Sequence, residues 1–132
     1  MPSPPKPMAL DYLPDAAGEA WLDAEISLER MRPRATCSSY RTALDLAIKS
    51  LFPDIKGTLG KRIDALHGQG NLPSQIQSLA HGIRIIGNES VHDLDDLSIE
   101  EAKEMRQFLL LVFTYLIDLP NQIASFEAKR AG

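Results

Sequence analysis

The sequence predicts an all-α fold, a bundle of about five helices formed by a single domain in a chain of 132 residues. Apolar residues recur at helical spacings of three and four along most of the chain, and no segment alternates with the period of two that a strand requires. Proline and glycine fall between the periodic segments, where they end one helix and begin the next. The hydrophobic fraction of 44% and the charged fraction of 24% are those of an ordinary globular domain.

The N-terminal segment differs in composition from the rest of the chain. Four prolines in residues 1–7 predict an extended, disordered tip over residues 1–10. Residues 11–132 then form the single helical domain.

The first two helices are predicted from their caps and their apolar spacing. Asp15 is the candidate N-cap of a helix that runs to about Met31. Pro33 suits the first turn of the second helix, which ends before Pro53. Apolar residues in the second helix follow one another at spacings of 3, 1, 3, 1 and 3, the pattern of an amphipathic helix.

The next two helices are shorter. Thr58 begins the third helix, and the glycine-rich residues 68–71 end it. Pro73 begins the fourth helix, whose apolar residues, Ile76 to Ile86, lie on one side. A loop follows at about residues 93–97.

The last helix is long and unusually apolar. Ser98 and Glu101 form the sequence signature of a capping box, and Pro120 predicts the end of the helix after Leu119. The stretch FLLLVFTYLI at residues 108–117 is apolar on every face. It predicts either a central helix wrapped by the others or a helix with one face in a homodimer interface, and both can hold together.

Charge is unevenly distributed, although the net charge is only −4, which disfavours a strongly basic nucleic-acid-binding protein. Residues 30–62 contain eight basic and two acidic residues, whereas residues 93–104 contain six acidic and one basic residue. The basic segment could attract phosphates, with Arg34 and Arg41 as candidate RNA-binding residues, or it could meet the acidic segment of a neighbouring subunit.

The single cysteine, Cys37, excludes an internal disulfide and is expected to be a buried, unreactive thiol. No run approaches 18 apolar residues, and the first residues lack the apolar stretch of a signal peptide. We therefore expect a cytoplasmic protein that does not span a membrane.

A polar stripe is predicted on the fourth helix, opposite its apolar side. His81, Arg84, Asn88 and His92 are spaced by 3, 4 and 4 residues, which places them on one face if the helix extends that far. A merely solvated face usually carries Lys, Glu and Gln, whereas Arg, Asn and His are residue types that bind phosphate and transfer protons.

Three stretches resemble one known family. RIIGNESVHD at residues 84–93 resembles the signature of the DUF4145 family, YRTALDLAIKSLFP resembles its second helix, and TLGKRIDAL followed by LPSQIQSLAHGIR resembles its middle. The resemblance spans about residues 12–119. That family is placed in the HEPN superfamily of small helical bundles, which usually dimerise. Many HEPN proteins are metal-independent ribonucleases of toxin–antitoxin, CRISPR and phage-defence systems.

The resemblance implies the catalytic residues Arg84, Asn88 and His92, with His81 as a further RNA-binding candidate. The HEPN signature is an Arg, often followed by a polar residue, and a His after four to six residues. His92 and Asn88 match its His and polar positions, but Gly87 stands where active members have Arg. A two-fold dimer could instead pair Arg84 of one subunit with His92 of the other. His92 would then act as general acid or base, and Arg84 would stabilise charge on the phosphoryl oxygens.

Two alternatives to the ribonuclease prediction stay open. Loss of the Arg at position 87 favours a non-catalytic dimerisation or protein-interaction domain. The HD dipeptide at residues 92–93 is also found in metal-dependent phosphohydrolases, but such a site needs further ligands, and no spacing in this chain requires them. We therefore expect no metal and no cofactor. The expected partners are a second copy of the chain, RNA, and a protein encoded in a defence operon.

Overall fold

The computed structural model describes residues 8–88 and 97–131, and helices dominate both ranges. The elements, in chain order, are α1 (Asp15–Glu29), α2 (Pro33–Leu51), α3 (Leu59–Gly68), α4 (Ser74–Ile86), α5 (Ile99–Phe113), a π-helical turn (Thr114–Asp118) and α6 (Leu119–Ala131). No strand occurs within the described ranges, so the all-α prediction is confirmed for them. Residues 1–7 of the predicted tip and residues 93–96 of the loop predicted at residues 93–97 lie outside the described residues.

Most predicted helix starts are confirmed. Pro33 is the first residue of α2. The Thr58 hydroxyl accepts a hydrogen bond from the Lys61 N–H at 3.3 Å, which satisfies one unpaired backbone donor at the start of α3. Ser98 and Glu101 form the predicted capping box, each side chain accepting from the other residue's backbone N–H.

The ends of α1 differ from the prediction. Pro14 occupies the N-cap position without a capping hydrogen bond, and Asp15 is the first helical residue, where its negative charge still favours the helix dipole. The helix ends at Glu29 because Met31 adopts a left-handed backbone, with φ 58°. The Arg32 N–H then donates to the Ser27 carbonyl at 3.0 Å, which closes the turn and directs the chain back along α1 as α2.

The core contains buried residues from α1 to α5, and its aromatic centre lies where α1, α2 and α5 meet. The Trp21 ring is fully buried, 5.3 Å from the Tyr40 ring and 6.5 Å from the Phe113 ring between centroids. The indole N–H of Trp21 donates to the Met8 carbonyl at 2.7 Å, so the chain just before α1 is fastened to the same core.

A charged group joins these three helices inside the bundle. Glu25 of α1 is buried, and its Oε1 accepts hydrogen bonds from the Tyr40 hydroxyl at 2.7 Å and from Arg106 Nε at 2.8 Å. The Arg106 guanidinium lies 5.5 Å from the centroid of the Trp21 ring, within range of a cation–π interaction. Burial, together with the hydrogen bond to Glu25, raises the pKa of Tyr40.

The predicted end of the last helix at Leu119 is wrong, because the helix continues through Pro120 to Ala131. Proline lacks an N–H, and its ring clashes with the carbonyl four residues earlier in a regular α-helix. Just before Pro120 the chain widens into the π-helical turn, in which the Leu119 N–H donates to the Thr114 carbonyl five residues back. The wider turn lets the helix pass the proline without ending.

The apolar stretch at residues 108–117 is covered on one side only. Leu109, Val112 and Phe113 are fully buried against the bundle. Leu111 and Tyr115, on the other side, are exposed, and so is every residue of α6. The bundle therefore wraps one face of this helix and leaves the other face open.

By length and composition alone, the continuous helix Ile99–Ala131 could cross a membrane, since the mean hydropathy of its most apolar window is 1.4. This is weak evidence, because the core helix of a soluble protein passes the same test. In this chain 28% of that window is buried inside the bundle, whereas a core helix of a soluble protein is mostly buried.

Candidate functional site

The polar stripe of α4 lies against α3. His81 Nε2 is 2.7 Å from Oδ1 of Asp64, a residue of α3. Gln77 Nε2 donates to the same oxygen at 2.9 Å. Arg84 Nε donates to His81 Nδ1 at 3.2 Å. Because Nδ1 accepts this bond, the assigned neutral tautomer carries its proton on Nε2 and donates it to Asp64.

These contacts give His81 and Arg84 defined orientations. The hydrogen bond from His81, followed by that from Gln77, holds the pKa of Asp64 below its ordinary value. Gly60 of α3 leaves room for the arginine, since a Cβ there would lie 3.3 Å from Arg84 Nε. The stripe thus links two helices and is not a simple solvated face.

Gly87 marks a close contact between the end of α4 and α2. A Cβ at this position would lie 2.5 Å from the Arg41 Cβ and 2.7 Å from the Cys37 carbonyl oxygen, both on α2. Such separations are far below van der Waals contact, so this packing has no room for any side chain at position 87. The arginine that the HEPN signature places here therefore does not fit between these helices.

Asn88 follows α4 and does not lie on it. The helix ends at Ile86 and Gly87 is its C-cap, so the helical spacing that aligned Asn88 with Arg84 stops short of it. The Asn88 N–H donates to the Ile85 carbonyl at 3.3 Å, within the last turn. Asn88 is one residue from the contact of Gly87 with Arg41, whereas Arg84 is directed to α3. His92 lies outside the described residues.

Arg34 and Arg41 are two turns apart on α2, and each has an unsatisfied polar atom. Their positions differ by seven residues, which places them on the same face of the helix about 10 Å apart along its axis. The Nε atoms of both side chains are buried and have no hydrogen-bond partner in the part of the chain that the structure describes. A buried N–H without a partner is uncommon in folded proteins and is costly, because it has lost water without replacing it.

Three other basic residues of the segment 30–62 have protein partners. Lys49 forms an ion pair with Asp45 at 3.0 Å. Arg62 Nε donates to the Gly57 carbonyl, and Lys56 Nζ donates to the Pro53 carbonyl, each at 2.8 Å. The candidate anion site is therefore narrower than the basic segment and centres on Arg34 and Arg41.

Sequence reasoning did not find Asp64 and Gln77 as partners of the stripe. The bonds from Asp64 to Gln77 and His81 span 13 and 17 positions, and they form only because α3 packs on α4. No local sequence pattern indicates that α3 packs on α4. Asp64 could have been noticed only as a polar residue on a short amphipathic helix.

The described residues offer no metal site. Among residues 8–88 and 97–131, no group of three His, Cys, Asp or Glu side chains is placed to hold an ion. Cys37 is buried, as predicted, and burial, assisted by the charge of Glu101, raises its pKa to about 11.

Comparison with known proteins shows one family for this chain. No curated protein and no solved structure matches this chain. The model of a family described as Domain of unknown function (DUF4145) matches residues 24–129, from the middle of α1 into α6. The match contains Arg34, Arg41 and the whole polar stripe of α4. The chain therefore belongs to the DUF4145 family.

Proposed function

We propose that this domain binds RNA through the phosphate backbone, at a surface centred on Arg34 and Arg41 next to the end of α4. The observation that carries the proposal is the pair of buried Nε atoms that have no protein partner. Phosphate oxygens are the acceptors that best match the fork of N–H groups on a guanidinium. The Nε atoms themselves are covered, but both side chains are only partly buried, so an RNA phosphate could contact the exposed part of each.

The charge around α2 supports an anionic ligand. Arg30 and Arg32 are exposed in the turn that leads into α2, close in sequence to Arg34. The first turn of α2 contains no acidic residue, so nothing in it opposes the positive end of the helix dipole. Both features add positive potential at the end of the helix that carries Arg34.

The resemblance to HEPN proteins extends this proposal to metal-independent cleavage in the cytoplasm, in a defence or toxin context. In such a reaction the ribose 2′-hydroxyl loses its proton and attacks the adjacent phosphate, and the bond from phosphorus to the 5′-oxygen of the next nucleotide breaks. One product then ends in a 2′,3′-cyclic phosphate and the other begins with a 5′-hydroxyl, which takes up a proton. His92 would transfer the proton, Asn88 would orient the phosphate, and Arg84 would stabilise its charge. Within one chain Arg84 is bonded to His81 and directed to α3, away from Asn88, so this assignment would pair Arg84 of one subunit with His92 of the other.

Binding is tested by titrating labelled single-stranded RNA with the purified protein and measuring fluorescence anisotropy at several salt concentrations. Arg41→Gln and Arg34→Gln should each weaken binding for all RNA sequences. Each should also reduce the slope of log binding constant against log salt concentration by about one in magnitude. Lys49→Gln is the matched control on α2, because Lys49 already pairs with Asp45. Equal effects of Arg41→Gln and Lys49→Gln would contradict a site at Arg34 and Arg41.

Cleavage is tested separately, in the presence of EDTA. Single-stranded RNA should yield fragments with 2′,3′-cyclic phosphate ends, His92→Ala should abolish them, and Arg84→Ala should reduce them. A requirement for added metal would point to the HD dipeptide at residues 92–93. Binding without cleavage would retain the RNA site and remove the catalytic assignment.

A second function is favoured by Gly87. Since the packing of α4 on α2 excludes a side chain at the position of the HEPN arginine, a dimerisation or protein-interaction domain without catalytic activity is the alternative. A folded protein that neither binds nor cleaves RNA would support it. Its partners would then be a second copy of the chain or a protein encoded in a defence operon.

A further inference from the structure

The open face of the C-terminal helix carries a continuous row of exposed apolar side chains. We call this row the apolar C-terminal stripe; its members are Leu111, Tyr115, Leu119, Ile123 and Phe126. The most exposed of them are Leu111 at 46%, Ile123 at 49% and Phe126 at 60%. Single exposed apolar residues are ordinary, but five in one row on a helix are typical of an interaction surface.

The π-helical turn keeps this row straight. In a regular α-helix, residues spaced by four drift around the axis, because 3.6 residues complete a turn. The turn at Thr114–Asp118 contains more residues per turn, so each residue there rotates less about the axis. Tyr115 and Leu119 therefore stay closer in line with Leu111 than a regular helix would allow.

The last part of the helix has no partner within the described chain that would hold it. All of α6 is exposed, and its main contacts within the described residues are with the π-helical turn that precedes it. α6 continues a helix that is already formed, but it lacks the packing of an apolar face from which most helical stability in proteins comes. We propose that a second copy of this chain covers the apolar C-terminal stripe, with the two helices antiparallel.

The stripe is complementary to itself in this orientation. A two-fold axis at Leu119 places Leu111 opposite Phe126 and Tyr115 opposite Ile123, so that apolar residues meet apolar residues along the whole row. Both copies would therefore use the same surface in the dimer.

Charge selects the antiparallel arrangement. On the same face, Glu104 lies two turns before Leu111, and Arg130 lies one turn after Phe126. Antiparallel pairing brings Arg130 of each copy toward Glu104 of the other, whereas parallel pairing would bring like charges together. The Arg130 guanidinium already lies 5.9 Å from the centroid of the Phe126 ring, at the end of the stripe.

The size of the surface sets the expected strength of the dimer. From Glu104 to Arg130 the helix is about 40 Å long, and its width of about 10 Å gives an area on the order of 400 Å² per copy. Stable complexes bury about 800 Å² per partner, so we expect a micromolar, reversible dimer. This inference is independent of the proposed RNA binding, which involves α2 and the end of α4.

Sedimentation equilibrium between roughly 1 and 300 µM protein tests the proposal. The mass should rise from that of one chain to that of two. Ile123→Glu should weaken association roughly tenfold or more, because it places a charge in the centre of the contact. Leu51→Glu is the matched control, since Leu51 is also an exposed apolar residue but lies at the end of α2. A monomer at all concentrations, or equal effects of the two substitutions, would overturn the proposal.

Orientation is tested by charge reversal and by crosslinking. Arg130→Glu should weaken the dimer, and adding Glu104→Arg should restore it. In a Cys37→Ala background, Leu119→Cys should form an intermolecular disulfide and Phe126→Cys should not, since only Leu119 lies on the axis. A disulfide through position 126, or binding of the helix to phospholipid vesicles in place of self-association, would contradict the antiparallel dimer.

Discussion

Burial controls the chemistry of Cys37. The thiol lies in the core, and its pKa of about 11 exceeds the ordinary value of 9.0. The folded state therefore holds the thiol proton more tightly than the unfolded chain does. The stability that this provides is complete below about pH 9 and is lost as the pH rises toward 11.

Cys37 should consequently be unreactive in the native protein. At pH 8, an aromatic disulfide reagent should modify it slowly in buffer and rapidly in urea, as followed by absorbance. Urea denaturation should show a lower free energy of unfolding at pH 10 than at pH 8, and Cys37→Ala should reduce that loss. Rapid modification of the native protein would contradict a buried thiol.

The sequence indicated which residue types are suited to binding phosphate, but not which residues their side chains contact. His81 and Arg84 stand out because their neighbours in the stripe are neither Lys nor Glu. Their actual partner, Asp64, lies 17 positions from His81 on a different helix, which only tertiary packing reveals. The same holds for Arg41, whose buried Nε depends on the approach of α4 to α2.

At the scale of helices, the sequence predicted a helix boundary correctly where residues within one turn determine it. Pro33, Thr58 and the capping box at Ser98 act within one turn, so their effect can be seen in the sequence. The helix end predicted from Pro120 was wrong because the preceding π-helical turn accommodates the proline. That turn has no equally clear sequence signal. The helix continues where the usual effect of proline predicts an end.

The junction of α4 with α2 provides a sharp test at this scale. Gly87→Ala should lower the free energy of unfolding by about 1–3 kcal/mol, because its Cβ would overlap Arg41 and Cys37 of α2. Gly82→Ala is the matched control on α4: nothing lies within 4 Å of its Cβ, and helix propensity should raise stability by roughly 0.5–1 kcal/mol. Urea denaturation followed by circular dichroism measures both. A neutral Gly87→Ala would show that the helices are not in close contact.

At the scale of the whole molecule, α1, α2 and α5 are joined by Glu25. The Arg106 contact to Glu25 spans 81 positions, so it forms only when the first and last parts of the bundle meet. The sequence predicted a bundle of about five helices from periodicity, and the described residues form five when α5, the π-helical turn and α6 are taken as one continuous helix. It did not predict which helices adjoin, because periodicity does not specify the partner of an apolar face.

Loss of Arg106 should therefore destabilise the entire bundle. Arg106→Met should lower the free energy of unfolding by about 3 kcal/mol, because among the described residues it leaves the buried Glu25 carboxylate with the Tyr40 hydroxyl alone as partner. The comparison variant is Lys49→Met, which removes an exposed ion pair with Asp45 and should cost less than about 1 kcal/mol. Thermal unfolding by circular dichroism would distinguish the two, and equal losses would contradict a special role for Arg106.

The surroundings of Trp21 make this chain its own optical reporter. It is the single tryptophan, and its indole touches α2 through Tyr40, α5 through Phe113 and the preceding segment through the Met8 carbonyl. In the native state its fluorescence maximum should lie at the short wavelength of a buried indole. The maximum should shift to longer wavelength when the three helices separate. Stopped-flow fluorescence of the unmodified protein would then follow assembly of the bundle without an added dye, while α6, remote from this indole, would leave the signal unchanged.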